Sequence, residues 1–355
     1  MELNCELTKQ VVDALQANNI DCYIVGGYVR DHLLGIKSKD IDIELHNTTI
    51  EEAYDVIAQV TDAKVFGSFG VISLTEANTE FAIARTEQKT GSTHTDFEVE
   101  FITDGNLKLA ASRRDFTINS IMYDLQANKL IDNYNGIIDL ENKVLRHVSP
   151  AFTEDPLRIL RGIKFMARYN LKMDVETYEL CTSIINELRF LPTIRVQNEI
   201  EAIFSSQYFK QVSWLLSEYF SSLFKDTLNQ ENDFNSNSDY NRLMFFKQFN
   251  NYEQVINFCY EQKTFKKDLK LALDNYDRYK NYEKLSGNEK YELLASSKHC
   301  LKYISHINPS VLNYYDKYLL LTAKYNGQYF MDLGIQGKAI KEAMKTKIGD
   351  ELHEL

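Results

Sequence analysis

Glycine and proline are scarce in this chain, with 14 and 4 among 355 residues. Average usage is roughly 7 % and 5 %, so collagen-like and Pro-rich disordered architectures are excluded and long helices with short connections are expected. No window of about 18 apolar residues occurs, which excludes a membrane-spanning helix. The start, MELNCELTKQ, is acidic and lacks the apolar stretch of a secretory signal, so a cytoplasmic location is expected. The five cysteines, at 5, 22, 181, 259 and 300, form no Cys-x-x-Cys pair. They read as free thiols, with neither a disulfide framework nor a zinc site. The seven histidines show no metal-site spacing, and the absence of Gly-x-x-x-x-Gly-Lys-Ser/Thr excludes a P-loop enzyme. Positive charge is also short, 40 Lys and Arg against 51 Asp and Glu, for a net charge of −11. That balance argues against indiscriminate coating of nucleic acid, which needs clustered cations. A local basic surface remains open: residues 263–302 carry ten Lys or Arg against six Asp or Glu.

What is present is an ordinary globular composition, 44 % hydrophobic and 26 % charged, long enough for about two to three domains. Leu7, Val11, Val12 and Leu15 share one helical face over residues 1–21, and Asn18-Asn19 supplies a stop. Strands are expected at 22–26, 41–45, 64–66, 71–74, 81–85 and 97–102, with a helix at 28–34 and another over 107–123. From about Asp155 the pattern turns helical, at 157–169, 175–188, 195–205 and again over 242–347, and no further strand is expected. The run NQENDFNSNSDYN, 229–241, reads as a polar linker. The fold class is therefore α+β. A head with one mixed sheet (1–148) is followed by an all-helical neck (149–210) and a helical body and tail (211–355).

The densest chemistry lies in YIVGGYVRDHLLGIKSKDIDIEL, 23–45. A buried strand runs into Gly26-Gly27, where the backbone can approach a ligand closely. Arg30 and Asp31 follow at the start of a helix, and its N–H groups with Arg30 suit a triphosphate. In Asp40-Ile41-Asp42-Ile43, strand alternation points both carboxylates one way and both isoleucines into the core. Two carboxylates so close call for a cation between them, and hard oxygen donors suit Mg²⁺. Taken alone, Asp-x-Asp is a solvated acidic strand face; the upstream glycines and Arg-Asp tip the reading toward a metal site.

The segment resembles motif A of the nucleotidyltransferase superfamily that includes DNA polymerase β. It is most similar to class II tRNA nucleotidyltransferases (CCA-adding enzymes) and bacterial poly(A) polymerases. RRDFTINS, 113–120, is similar to the family's Arg-Arg-Asp motif on a helix, and 132–169 to its next two motifs. The likeness fades after about residue 205. It implies a polymerase-β-like head and attack of an RNA 3′-hydroxyl on the α-phosphate of CTP or ATP, with tRNA as partner and two metal ions on Asp40 and Asp42. Glu80, in TEFAIAR, is a candidate third ligand or a solvent-facing residue.

The resemblance also assigns Asp155 and Arg158 as a protein template for the base. A carboxylate accepts from the amino group of cytosine or adenine and meets a carbonyl in uracil or guanine. Seen without the family, Asp155 caps a helix and Arg158, at i+3, makes a surface ion pair. Arg161 and Lys164 continue the stripe toward the triphosphate, and Gly27 and Arg30 belong to the same nucleotide site. Arg114 and Asp115 resemble the residues that read the ribose, while Arg113 is either part of that site or a surface pair. The polar segment 84–101 around Gly91 is a hairpin tip or, by the family, the loop that switches from C to A addition. Poly(A) polymerases typically carry adjacent basic residues where this chain has Gly67-Ser68-Phe69, which favours tRNA. The rivals are a poly(A) polymerase, a CC-only or A-only enzyme, and a catalytically silent RNA-binding relative. The aromatic run 243–260 is core, or it stacks on RNA bases. Oligomeric state is not legible.

Overall fold

The structure is a computed structural model. It describes all residues except 2, 4, 39, 67–69, 90–96, 103–104, 229–233 and 355, and for 75, 86–89 and 97–100 the backbone alone. The chain packs as two compact units, Met1–Pro192 and Thr193–Leu355, a division that falls within the segment 149–210. The first unit runs α1 (Glu6–Ala17), β1 (Asp21–Val25), α2 (Gly27–Leu33), β2 (Ile41–His46), α3 (Ile50–Ala58), β3 (Lys64–Phe66), β4 (Val71–Leu74) and β5 (Thr79–Ile83). It continues with β6 (Arg85–Lys89), β7 (Phe97–Phe101), α4 (Leu107–Ser112), β8 (Met122–Asp124), β9 (Lys129–Ile131) and α5 (Gly136–Glu141). Then come β10 (Val144–Leu145), α6 (Leu157–Tyr169), β11 (Lys172–Met173) and α7 (Val175–Ser183).

Seven strands form one mixed sheet in the order β3-β4-β5-β2-β1-β8-β9, in which β2 and β5 are parallel and the other neighbours antiparallel. Ile24, Ile43, Leu45, Ile72 and Phe81 pack with Val11 and Leu15 of α1 and with Ala53 and Ile57 of α3. That burial fixes the strand register, because a slip by one residue would turn the core positions outward. A capping box of Thr49 and Glu52 starts α3. Asn19, at φ +61, follows α1 where the asparagine pair predicts its end.

Three sequence expectations change. The strand expected at 81–85 breaks at the fully buried Ala84, whose N–H bonds the Leu45 carbonyl, so β6 and β7 form a separate two-stranded sheet. Its tip, including Gly91, lies outside the described residues. The helix expected over 107–123 ends at Ser112. Phe116 is extended (φ −128°, ψ 150°) and bridges His147, and Thr117 N–H bonds the Arg146 carbonyl. The Arg-Arg-Asp motif thus sits in a connection rather than on a helix, because Arg113 and Arg114 turn toward a buried carboxylate on β2. A short strand, β11, also occurs after Asp155 and pairs parallel with β10.

The second unit is helical from Thr193–Phe204 to Ala339–His353. Phe245, Phe246, Phe249 and Tyr260 are buried, and Phe245 meets Phe204 and Phe220 edge to face, so these rings are core. The linker expected at 229–241 is folded in its described second half: Phe234 and Asn241 are buried, and a helix starts at Ser238. Within 263–302, Lys270 pairs with Glu253 at 2.7 Å and Lys302 with Asp239 at 3.1 Å, which neutralises part of that basic surface. All five cysteines are free thiols. Among the described residues no helix is long and apolar enough to cross a membrane.

Candidate active site

At the end of β1 the backbone turns sharply. Gly26 has φ +68°, and a Cβ there would lie 3.3 Å from Arg114 Nη1 and 3.8 Å from Asp42 Oδ2. Gly27, its partner in the Gly-Gly pair expected to bind nucleotide, has an ordinary φ and would meet only Arg30 Nη2 at 3.5 Å. The requirement for glycine therefore sits at Gly26. The turn opens one side of a cleft of about 790 Å³. Its walls come from Gly26 to Arg30, from Asp40 and Asp42, from Arg113 to Asp115, and from Arg158, Arg161, Lys164 and Arg168 of α6. Eight lysines and arginines line it against four aspartates, although the whole chain is acidic. A local excess of four positive charges suits a polyanion of the size of a nucleoside triphosphate.

On β2, Ile41 and Ile43 are buried and Asp42 reaches the cleft, with Asp40 just before the strand. Glu80 lies beside Asp42 in the parallel register with β5 but does not line the cleft. Crowding by protein pushes the Asp42 carboxyl above its usual range; Glu80 and Asp40 add to this, and Arg114 opposes it. Among the described residues no three His, Cys, Asp or Glu side chains gather closely enough to enclose a metal. Mg²⁺ rarely uses such a cage and usually takes one or two carboxylates plus substrate phosphates and water. Asp40 and Asp42 fit that donor set.

The alternation that presents Asp40 and Asp42 continues to Glu44, which sequence reasoning passed over. Glu44 is buried, at 1 % exposure. Its Oε2 accepts from Arg114 Nη2 at 2.8 Å and Arg113 Nη2 at 3.4 Å, and its Oε1 lies 3.1 Å from His46 Nε2. Burial alone would raise its pKa, but the His46 hydrogen bond and the two guanidinium charges outweigh it and bring the carboxyl down to about 2.

Arg30 lines the cleft but is largely buried. Its guanidinium donates to Asp31 Oδ1 (2.9 and 2.7 Å), to Asn119 Oδ1 (2.6 Å) and to Tyr169 Oη (2.7 Å), and it stacks on Phe165 and Tyr169. It thereby ties α2 to the end of α6. Asp115 is likewise engaged. Its Oδ2 accepts from Arg161 Nε at 2.8 Å and Nη2 at 2.6 Å, and its Oδ1 from the Phe116 and Asn119 nitrogens. Burial would raise the Asp115 carboxyl, but Arg161 and Asn119 prevail and lower it.

The helix α6 buries Leu157, Leu160, Ile163 and Ala167, and presents Arg158, Arg161, Lys164 and Arg168 to the cleft. Arg168 continues the stripe of Arg158, Arg161 and Lys164 by one further turn. Arg158 donates to the carbonyls of Ala151 (2.8 Å) and Arg113 (2.6 Å). Asp155 accepts from Leu157 N–H at 3.1 Å, as a helix-capping acid does, and is not on the cleft lining.

These features define a nucleotidyltransferase head: a glycine turn after a central strand, a carboxylate pair on the next strand, and a cationic cleft. Residues 22–146 match the poly A polymerase head domain. Over nearly their whole lengths, solved CCA-adding enzymes share the fold. An apo form is 21 % identical with a TM-score of 0.72, covering 98 % of this chain and 91 % of that one. A complex with CTP is 21 % identical with a TM-score of 0.69 (99 % and 96 %). The Thermotoga maritima CCA-adding enzyme complexed with tRNA is 21 % identical with a TM-score of 0.68 (100 % and 96 %). Residues 22–146 are thus similar to a poly A polymerase head domain, and the chain as a whole shares the fold of the solved CCA-adding enzymes.

Proposed function

We propose that this chain adds CCA to tRNA 3′ ends, taking CTP and ATP as substrates and Mg²⁺ as cofactor. The observation that carries this reading is the cationic cleft closing over Asp40 and Asp42, in a chain with the fold of enzymes solved with CTP and with tRNA. Arg161, Lys164 and Arg168 attract the triphosphate. Asp115, engaged on both oxygens, holds Arg161 in place rather than accepting from a ribose itself, and Arg114 faces the nucleotide beside Gly26. Arg30 acts from beneath by fixing α2 against α6. Asp40 and Asp42 hold magnesium, which when bound supplies Lewis-acid activation of the RNA 3′-hydroxyl and neutralises the departing pyrophosphate. Incubation with tRNA lacking CCA, with each nucleotide alone and together, followed by sequencing of the ends, tests the reading. We expect C, C and A. Long adenosine tails would make it a poly(A) polymerase, a halt at CC a partial enzyme, and no addition a silent relative.

The loop around Gly91 is the site of a second expectation. One pocket must accept cytosine twice and then the larger adenine, so something near the base moves. Shortening the tip at Gly91 should leave CC addition largely intact and stop the product before A, read by gel mobility of the tRNA end. Addition of A at the parental rate by the shortened chain would refute this.

Asp155 and Arg158 are proposed to read the base, with Arg158 fixed by two backbone carbonyls. Asp155→Ala should raise UTP and GTP incorporation relative to CTP and ATP, since a mispaired buried polar group costs roughly 1–3 kcal/mol. Equal loss of affinity for all four nucleotides would leave Asp155 as a helix cap only.

A further inference from the structure

We propose that Glu44 is a positioning residue that seats Arg114, with Arg113 beside it, at the floor of the nucleotide cleft. This rests on the reading of the cleft as a triphosphate site. Glu44 is the third outward position of the strand segment that carries Asp40 and Asp42, and it differs from them in being covered. One oxygen takes both arginines and the other faces His46, itself fully buried and packed edge-on against Tyr23 at 5.3 Å. Arg113 and Arg114 are adjacent in sequence, and two neighbouring guanidinium groups repel unless a carboxylate lies between them. Glu44 is that carboxylate.

The consequence reaches the cleft through geometry. Arg114 holds Glu44 with Nη2, which leaves Nη1 over the Gly26 turn, where even a methyl group on Gly26 would approach it to 3.3 Å. Asp42 lies on the same side of that turn, 3.8 Å from the same point. Without Glu44, the nearest carboxylate for Arg114 becomes Asp42, and an arginine drawn there leaves its nucleotide-facing position. The paired bond through Nη2 is thus what keeps Arg114 beside Asp42 instead of on it. The cations of α6 are anchored separately, Arg161 by Asp115 and Arg158 by backbone carbonyls, so loss of Glu44 should disturb one wall of the cleft and leave the other.

The test uses the full chain and two readouts. Glu44→Gln keeps the shape and one acceptor but removes the charge. We expect it to raise KM for CTP and ATP about tenfold while kcat falls less than threefold, and to weaken equilibrium CTP binding, measured calorimetrically without tRNA, by the same factor. In an Arg114→Ala background the further change Glu44→Gln should cost less than twofold, since the residue it acts through is gone. Glu44→Asp retains the charge but is one methylene short; it should fall between the parent and Glu44→Gln, and it carries the test if Glu44→Gln does not fold. Unchanged CTP binding in either variant, a loss confined to kcat, or effects of Glu44 and Arg114 that simply multiply would overturn the proposal. If the parent chain binds CTP but adds nothing to tRNA, the functional reading fails while the binding measurements still decide the role of Glu44.

Discussion

Replacing Asp42 by alanine is expected to abolish nucleotide addition while leaving the fold intact. Asp42 is crowded by protein and its carboxyl is pushed upward, with Glu80 and Asp40 both disfavouring its charge. Removing one of several mutually repelling carboxylates therefore should not lower Tm. On the proposed function what is lost is a magnesium donor, an effect worth several kcal/mol and hence on the order of a thousandfold in rate. Asp40→Ala should behave alike, and the double variant should be no worse than either alone, because one missing donor already disables the pair. The measurement is incorporation of labelled CTP into tRNA lacking CCA, beside a thermal melt. A double variant that retained even a tenth of the parental rate would remove Asp40 and Asp42 from the metal site.

Gly136→Ala should produce a large loss of stability. Gly136 opens α5 after Asn135 at φ +59°, and Asp132 caps it by accepting from the Gly136 and Ile137 N–H groups at 2.8 and 2.9 Å. A Cβ at Gly136 would lie 2.1 Å from the carbonyl oxygen of Thr117 and 2.8 Å from Ile121. The first of these is backbone, which cannot swing aside. Overpacking of this kind costs about 3 kcal/mol, which for a unit of this size lowers Tm by roughly 6–12 °C. Gly35→Ala is the control: its φ of +69° carries strain but nothing lies within 4 Å, so about 1 kcal/mol is expected. Because Thr117 lies between Asp115 and Asn119, the clash would also loosen the hold on Arg161 and Arg30. Similar Tm values for the two variants in a calorimetric scan would contradict the packing argument.

The parts of the head that follow a local rule were legible in the sequence. Alternation on β2 separates Asp42 from Ile41 and Ile43, and the 3.6-residue period of α6 separates its buried leucines and isoleucines from its cations. Illegible features depend on partners far along the chain. The helix expected through 107–123 stops because Arg113 and Arg114 find Glu44 on another strand, and nothing near residue 113 announces that carboxylate. The bonds of Arg30 to Asn119 and Tyr169 could not be read locally, because both partners lie far off in the sequence. The pairing of Asp115 with Arg161 is hidden for the same reason. Glu44 and Arg168 were within reach, since each continues a pattern that had already been recognised one step earlier.

The helix α6 carries Arg158, Arg161, Lys164 and Arg168 on a single rod of 13 residues whose opposite face is packed into the interior. Although their side chains are anchored separately, a shift of that rod carries all four charges together. A methyl group gained or lost at Ile163 or Leu160, neither of which lines the cleft, is expected to tilt all four against the cleft at once. On the proposed function, substrate preference is tunable from within the interior, and distance from the cleft is a poor guide to influence over it. Variants that test the proposed choice between cytidine and adenosine should therefore be made beneath α6 as well as upon it.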